Sequence, residues 1–597
     1  MSTWSTGAAP ILDGVQLAVL TNRFEGAVLS MMNTLLRTSR SGVINMGRDF
    51  SCCILTRNDE LLSMAESQPI HVLAGPELMA KTMKEFHPDL KRGQAFFHNS
   101  PYHGNSHAAD HSILIPVIDD EGVHRFTVLS KAHQADCGNS VPTTYMATAR
   151  DVYEEGALIF PCVKIQEDYQ DIEDIIRMCK IRIRVPEQWW GDYLALLGAA
   201  RIGERRVLAL GNELGWDLLE EYTRAWFDYS EQRMAAAIRR VPSGEIRVQT
   251  AHDPFPGVPE GIPLDITVNV RSEEGMLEVD LRDNPDCQPC GLNLTEGTSR
   301  TAAMLGVFNA IGRGVPPNAG SFRRLRIHLR ENCCVGIPRH PYSCSVATTN
   351  LADRVSCAVQ RALAELHEGI GLADVGFSIP AAWAVISGTD PRRDNAPFIN
   401  QLILSGVTGG PGGPDADGWL TLGGIGDAGQ PFRDSVEIDE IAHPIRVLEQ
   451  RIIPDREGAG RRRGAPAAVV EYGPVDTSLE VMFNSDGSIN APQGVRGGRD
   501  GGRAEQLLRD RTGELRELKN YDRVVLAPGE TIVSICSTGG GYGPPSERDP
   551  ELVQRDILER FVTPGRAEEL YGVVLTDEGA VDGEATLTLR ERRRFAP

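Results

Sequence analysis

The sequence predicts a mixed α/β fold of the α+β kind, with several antiparallel sheets and packed helices in a multi-region single chain. Three observations predict it. Residues 13–40 carry Leu17, Leu20, Phe24, Val28, Met31 and Leu35 three or four positions apart, the period of an amphipathic helix. "HSILIPVIDDEGVHRFTVLSKAH" sets two β-rich runs either side of Asp-Asp-Glu-Gly, which reads as a hairpin. From Asp171 to Arg240 the pattern turns helical in one long block before strands resume. With 597 residues the chain exceeds the roughly 250–300 that one core usually serves. Three regions are expected: 1–242 (α/β with the helical block), 243–405 (α/β) and 406–597 (glycine-rich loops, strands and terminal helices).

The other elements follow in order. "SCCILT" and "ELLSMA" read as strands around a turn at Arg57-Asn58-Asp59. In "WWGDYLALLGAARIGERRVLAL" the spacing puts Trp190, Leu194 and Leu197 on one helix face, and a second amphipathic helix continues to Arg240. Trp189, Trp190 and Trp226 are expected as core or interface anchors. A break falls at Val241-Pro242-Ser243-Gly244. "LDITVNVRSEEGMLEVDLRDN" is a second hairpin, and helical runs lie near 298–312 and 352–367. Residues 406–429 read as a long ordered loop. The C-terminal part is β-rich up to "STGGGYGPPSERDP", then carries a helix over 550–560, a short second one and a tail.

The formal net charge is -21. That disfavours nucleic acid, which needs a basic face, and an anionic membrane surface. No apolar run reaches the roughly 20 residues of a membrane span, and the N-terminus lacks a signal-peptide pattern. Twelve cysteines are scattered, two pairs of them adjacent, with no disulfide framework; a cytoplasmic setting is expected.

Histidine is distributed unevenly. Eight of the 13 fall between His71 and His133. Imidazole is the commonest metal-ligating side chain, and carboxylates complete many such centres. His107-x-x-Asp110 lies at the start of one hairpin strand and His133 at the end of its partner. Antiparallel pairing, with about 5 Å between strands, brings those ends together. Glu66 precedes the cluster and is a candidate fourth ligand. A mixed His/carboxylate set suits one divalent ion with an open position: Mn, Zn or Fe.

"FHNSPYHGNSHAADHSILIPV", "KAHQADCGNSVPTT", "DVYEEGALIFPCVKI", "GAARIGERR" and the closing "STGGGYGPPSERDPELVQRDILERFVTPGRAEELYGVVL" resemble, in order and spacing, the hydantoinase B/5-oxoprolinase family. The resemblance covers all but the last 20 or so residues. It implies a metal-bearing subunit beside an ATP- and Mg-binding hydantoinase A-type subunit, with or without a small third subunit. Family members open hydantoins, lactams or 5-oxoproline, while the acetone and acetophenone carboxylases join a ketone to bicarbonate. In the carboxylase branch a glutamate, two histidines and an aspartate hold the metal. Those roles carry over to Glu66, His107, Asp110 and His133. The family motif reads Asn-Asp-Pro-Tyr-x-Gly-Gly-Thr-His, where this chain has Asn99-Ser100-Pro101-Tyr102-His103-Gly104-Asn105-Ser106-His107.

Other motifs weigh less. "GAGRRRG" lacks the strand and Lys-Ser/Thr of a phosphate-binding loop. "TGGGYG" suits either an anion cradle or a close backbone approach, with the second preferred. Cys287-x-x-Cys290 lacks a second pair at zinc-finger spacing. The reading leans to carboxylation of a ketone. Its alternatives are ATP-dependent hydrolysis of a cyclic amide and a non-catalytic scaffold. His103, His111 and Asp136 are the candidate proton carriers or partners of the ligands.

Overall fold

The computed structural model describes residues 12–594 except 66, 378, 405–408, 421 and 427–431. The fold is mixed α/β, with four sheets among these residues, each antiparallel or nearly so. Helix α1 (Gly14–Thr38) starts where sequence chemistry says it should. Asp13 accepts the Gln16 N–H at 2.8 Å and Gln16 returns a bond to the Asp13 N–H at 3.0 Å, which satisfies two otherwise orphaned amides.

The first sheet positions the site. Its strands are β1 (Phe50–Thr56), β2 (Leu61–Met64), β3 (Ala95–His98), β4 (Asp110–Ile118), β5 (His124–His133), β6 (Val163–Glu167) and β7 (Gln170–Asp171). They lie in the order β2-β1-β5-β4-β3-β6-β7. The expected hairpin is β4–β5, with Asp110 opposite His133 and Ser112 opposite Lys131. Side chains alternate between faces along a strand. Ile113, Ile115, Val117, Val128 and Ala132 therefore pack into one core with Phe24, Met31 and Leu35 of α1 and with α2 (Pro186–Leu214). Leu114 and Leu129 face the other way, against Met79 and Met83 of the helix Pro76–Phe86. On this second face, beyond Leu114 and Leu129, the row turns polar.

Helix α2 differs from the expectation by one position. Its buried stripe is Trp189, Tyr193, Leu196, Leu197, Ala200 and Val207, whereas Leu194 is 45% exposed. The helix touches both α1 and the sheet, so its covered arc is wide and centred on Tyr193 rather than Leu194. Helix α3 (Trp216–Ile238) completes the block.

A second sheet joins β8 (Gly244–His252), β9 (Ile262–Arg271), β10 (Met276–Asp280) and β11 (Leu325–His328), with only the β10–β11 pair parallel. Helices α4 (Glu296–Ile311) and α5 (Leu351–Leu366) occupy the places read as helical. Two further sheets, built from strands between Val385 and Ile535, form the C-terminal part. The described part of 406–429 holds no helix or strand; 406–408, 421 and 427–429 lie outside the described residues. The expected helix appears at Pro550–Leu558, and the tail carries one more, Gly583–Arg594.

"TGGGYG" serves close backbone approach. A Cβ on Gly539 would lie 2.2 Å from the Gly410 carbonyl oxygen, and one on Gly541 2.2 Å from that of Ala459. The amides of Gly540, Gly541, Tyr542 and Gly543 are spent on the carbonyls of Asp374, Arg499, Arg462 and Val495.

Candidate metal centre

The β4–β5 register and the turn before β4 bring three ligand-type side chains together. His107, Asp110 and His133 are 0%, 0% and 1% exposed, and their donor atoms lie within 4.8 Å of one another. Asp110 Oδ1 is 2.9 Å from His107 Nε2 and 3.0 Å from His133 Nδ1; the two nitrogens are 3.1 Å apart. Neighbouring corners of a coordination polyhedron with ligand bonds of about 2.1 Å are separated by about 3 Å. The donor set and its spacing therefore fit a divalent ion such as Mn, Fe or Zn.

The surroundings fix which atom faces that point. His107 Nδ1 is 2.8 Å from the Ser345 carbonyl oxygen. A carbonyl only accepts, so Nδ1 carries the proton and Nε2 presents a lone pair. His133 Nε2 meets the Thr144 hydroxyl at 3.0 Å, leaving Nδ1 toward Asp110. Tyr145 stacks on the His133 ring at 5.0 Å and 14°. Asp110 Oδ2 accepts from Ser106 Oγ, which in turn accepts from Lys131 Nζ at 3.1 Å. An ammonium only donates and a carboxylate only accepts, so the hydroxyl's direction is set by its two neighbours.

Two further groups complete the wall. His71 Nε2 lies 3.2 Å from Asp49 Oδ1 and 3.5 Å from Asp110 Oδ2, and its Nδ1 has no hydrogen-bond partner. Burial opposes the charged form of Asp110. The His107 and His71 rings and the hydrogen bonds from His107 and His133 outweigh it, holding the carboxyl well below the usual carboxylate range. Burial likewise opposes the charged form of His107, yet Asp110 beside it raises the ring above its ordinary value. Lys131, pushed down to about 8 by burial, is drawn back only in part by Asp110.

The remaining candidates lie elsewhere. His111 follows Asp110 and so faces the opposite side of the sheet. It accepts from Trp189 Nε1 at 3.3 Å, stands edge-on to Phe97, and is pushed down to about 3 by burial. His103 is half-buried, 2.8 Å from Ser100 Oγ and against Phe86. Asp136 is spent on Arg184, accepting its backbone N–H at 2.6 Å and its guanidinium at 2.9 Å. The structure brings none of these three into the centre. Glu66 lies outside the described residues.

Sequence reasoning missed Asp49, His71, Ser106, Lys131, Thr144 and Ser345. His71 stood within the histidine cluster and offered that signal. Asp49 enters because β1 pairs with β5, which puts the Asp49 carbonyl on the His133 N–H at 3.0 Å.

The model of the hydantoinase B/oxoprolinase family matches residues 13–545. Caprolactamase subunit beta of Pseudomonas jessenii is 27% identical over 594 residues, 96% of this chain and 98% of that one. The acetophenone carboxylase delta subunit of Aromatoleum aromaticum is 23% identical over 94% of this chain and 86% of that one. The crystal structure of the ATP-dependent caprolactamase from Pseudomonas jessenii superposes with a TM-score of 0.87 at 25% identity, covering 98% of this chain and 100% of that one. Among the described residues no helix is long and apolar enough to cross a membrane. The chain is an enzyme subunit of hydrolase or ligase type, and it belongs to the hydantoinase B/oxoprolinase family.

Proposed function

We propose that this chain is the metal-bearing catalytic subunit of an ATP-dependent enzyme that opens a cyclic amide by hydrolysis. The observation that carries the metal centre is the convergence of His107, Asp110 and His133 on one buried point. Ring opening is preferred over ketone carboxylation, toward which the sequence reading leaned. The caprolactamase subunit matches at higher identity and over nearly its whole length, 98% against 86% for the carboxylase subunit. ATP is handled by a partner subunit, in line with relatives named as beta and delta subunits.

Within this reading His107, Asp110 and His133 are ligands, with Asp49 the carboxylate next in reach. A bound divalent ion supplies Lewis acidity toward an amide oxygen or lowers the pKa of water. The Ser345 carbonyl holds His107 in the ligating tautomer. Lys131 and Ser106 hold Oδ2 of Asp110, leaving Oδ1 toward the two imidazoles. His71 Nε2, between two carboxylates, carries its proton there and braces Asp110 from the side of Asp49. Asp136, paired with Arg184, and His111, turned to the opposite face of the sheet, are given no part in this chemistry.

The test uses the purified multi-subunit complex. With ATP, consumption of caprolactam, a hydantoin or 5-oxoproline and no incorporation of labelled bicarbonate into acetone or acetophenone is the expected result. Label entering a ketone, with the lactams untouched, restores the carboxylase reading. A scaffold role predicts full activity in the assembled His107→Ala complex.

A further inference from the structure

A groove of about 480 Å3 lies between the ends of α3 and α4 and the loop that carries Trp419. Its floor is apolar, built from Val241, Ile311, Ile370 and Leu372, and it shares no residue with the metal centre. Sites for small molecules have this character: apolar walls with a few polar groups placed at their edge.

Two features of the lining are unspent. Arg240 and Arg313 both line the groove and are exposed, one just past the end of α3 and the other just past the end of α4. An arginine in that position commonly bonds the last carbonyls of its helix. Among the described residues neither guanidinium makes a hydrogen bond, an ion pair or a ring contact. The second feature is the Trp419 indole, which walls the same groove and is 73% exposed. Its backbone is held on both sides. The Gly410 N–H donates to the Trp419 carbonyl at 3.0 Å, and the Gly418 N–H to the Arg463 carbonyl at 2.7 Å. A Cβ on Gly410 would lie 2.6 Å from the Trp419 nitrogen. Asp417 ties the loop down by accepting from the buried Arg548 at 2.7 and 2.8 Å. A single exposed apolar side chain needs no explanation. A pinned indole beside two unspent arginines, all on one cavity, does.

We propose that this groove binds an organic carboxylate with an apolar body, of the medium-chain fatty-acid kind, its carboxylate on Arg240 and Arg313 and its chain along the apolar floor beside Trp419. Charge sets the class. With Asp417 neutralised by Arg548, the lining offers two unpaired guanidinium groups against one unpaired carboxylate, Asp415. A guanidinium fork matches carboxylate and phosphate alike. The floor separates the two, because a nucleotide would set its ribose hydroxyls against Val241, Ile311, Ile370 and Leu372, whose side chains cannot bond them.

The experiment titrates octanoate, and in parallel inorganic phosphate and ATP, into the full chain, read by calorimetry and tryptophan fluorescence. His107→Ala is titrated too, so that a carboxylate held at the histidine centre does not contribute. One equivalent of octanoate bound with a change in emission, retained in His107→Ala, is the expected result. Arg240→Gln and Arg313→Gln should each weaken it by ~10-fold, as loss of a charged hydrogen bond does, and the double variant should abolish it. Both side chains are exposed, so the Tm of these variants should match the parent's. Trp419→Phe should keep the heat of binding and lose most of the emission change. Absence of saturable octanoate binding at millimolar concentration overturns the proposal, as does undiminished binding in the double variant. Saturation by inorganic phosphate or ATP with octanoate ignored identifies a phosphate site instead, and also overturns it.

Discussion

His107 and His133 stack with ring centroids 5.0 Å apart and turn Nε2 and Nδ1 toward each other at 3.1 Å, over one oxygen of Asp110 that both touch. Two imidazole lone pairs and a carboxylate oxygen in that arrangement repel unless a proton or a cation lies among them. The Ser345 and Thr144 contacts hold the rings from behind, so neither can swing away without losing a hydrogen bond.

The ligand set makes the first prediction. The purified chain should carry about one Mn, Fe or Zn per molecule by elemental analysis. His107→Ala and Asp110→Asn should lose it and lower turnover in the assembled complex by at least ~100-fold, since the affected groups meet the reacting centre directly. Metal retained at full occupancy in both variants would show that these side chains do not ligate.

Lys131 and Ser106 make the second. Removing one charge of a buried pair is costly when its partner is left alone, but Asp110 keeps His107 and His71 beside it when Lys131 is lost. Lys131→Met should leave the Tm of the metal-free chain within a few degrees, yet weaken metal retention against a chelator by ~10-fold, as loss of an outer partner does. Ser106→Ala should do the same. A fall in Tm with metal affinity unchanged would mark the pair as purely structural.

Acid sensitivity makes the third. His98 is 0% exposed, neither ring nitrogen has a partner, and burial first, then Lys131, pushes it down to about 3. Its unfolded value is near 6.5, so below that the unfolded chain binds the extra proton and the folded chain does not. Stability is therefore lost as pH falls from about 6.5 toward 3, by roughly 2 kcal/mol at pH 5 from this one ring. His98→Leu should flatten the decline in Tm between about pH 7 and 5. An unchanged slope would place the ring's protonated form within the fold.

Backbone geometry makes the fourth. Gly104, three residues before His107, has φ +92°, and a Cβ there would lie 2.6 Å from the Gly75 carbonyl oxygen. Gly122, in the β4–β5 turn, has φ +79° with nothing within 4 Å. Gly122→Ala should cost about 1 kcal/mol, the left-handed penalty alone. Gly104→Ala should cost about 3 kcal/mol or more and reduce metal occupancy, because backbone must move. Equal Tm losses would show that the loop yields.

By itself the sequence determined the local elements and the composition of the centre. The three-and-four spacing from Leu20 to Leu35, the hairpin around Asp-Asp-Glu-Gly and the pairing of His107-x-x-Asp110 with His133 all depend on neighbours in the chain or on one short turn. Periodicity and strand register report such relationships directly. Only the tertiary structure decided that β1 lies beside β5, which brings Asp49 to the centre, that His71 comes within 3.5 Å of Asp110, and that Ser345, 238 residues from His107, orients its ring. It also placed His111, one residue past Asp110, on the opposite face, and set Asp136 against Arg184. Strand order and loop-to-loop contact are set by how whole surfaces pack, and no local pattern of residues encodes which distant carbonyl or carboxylate arrives beside an imidazole.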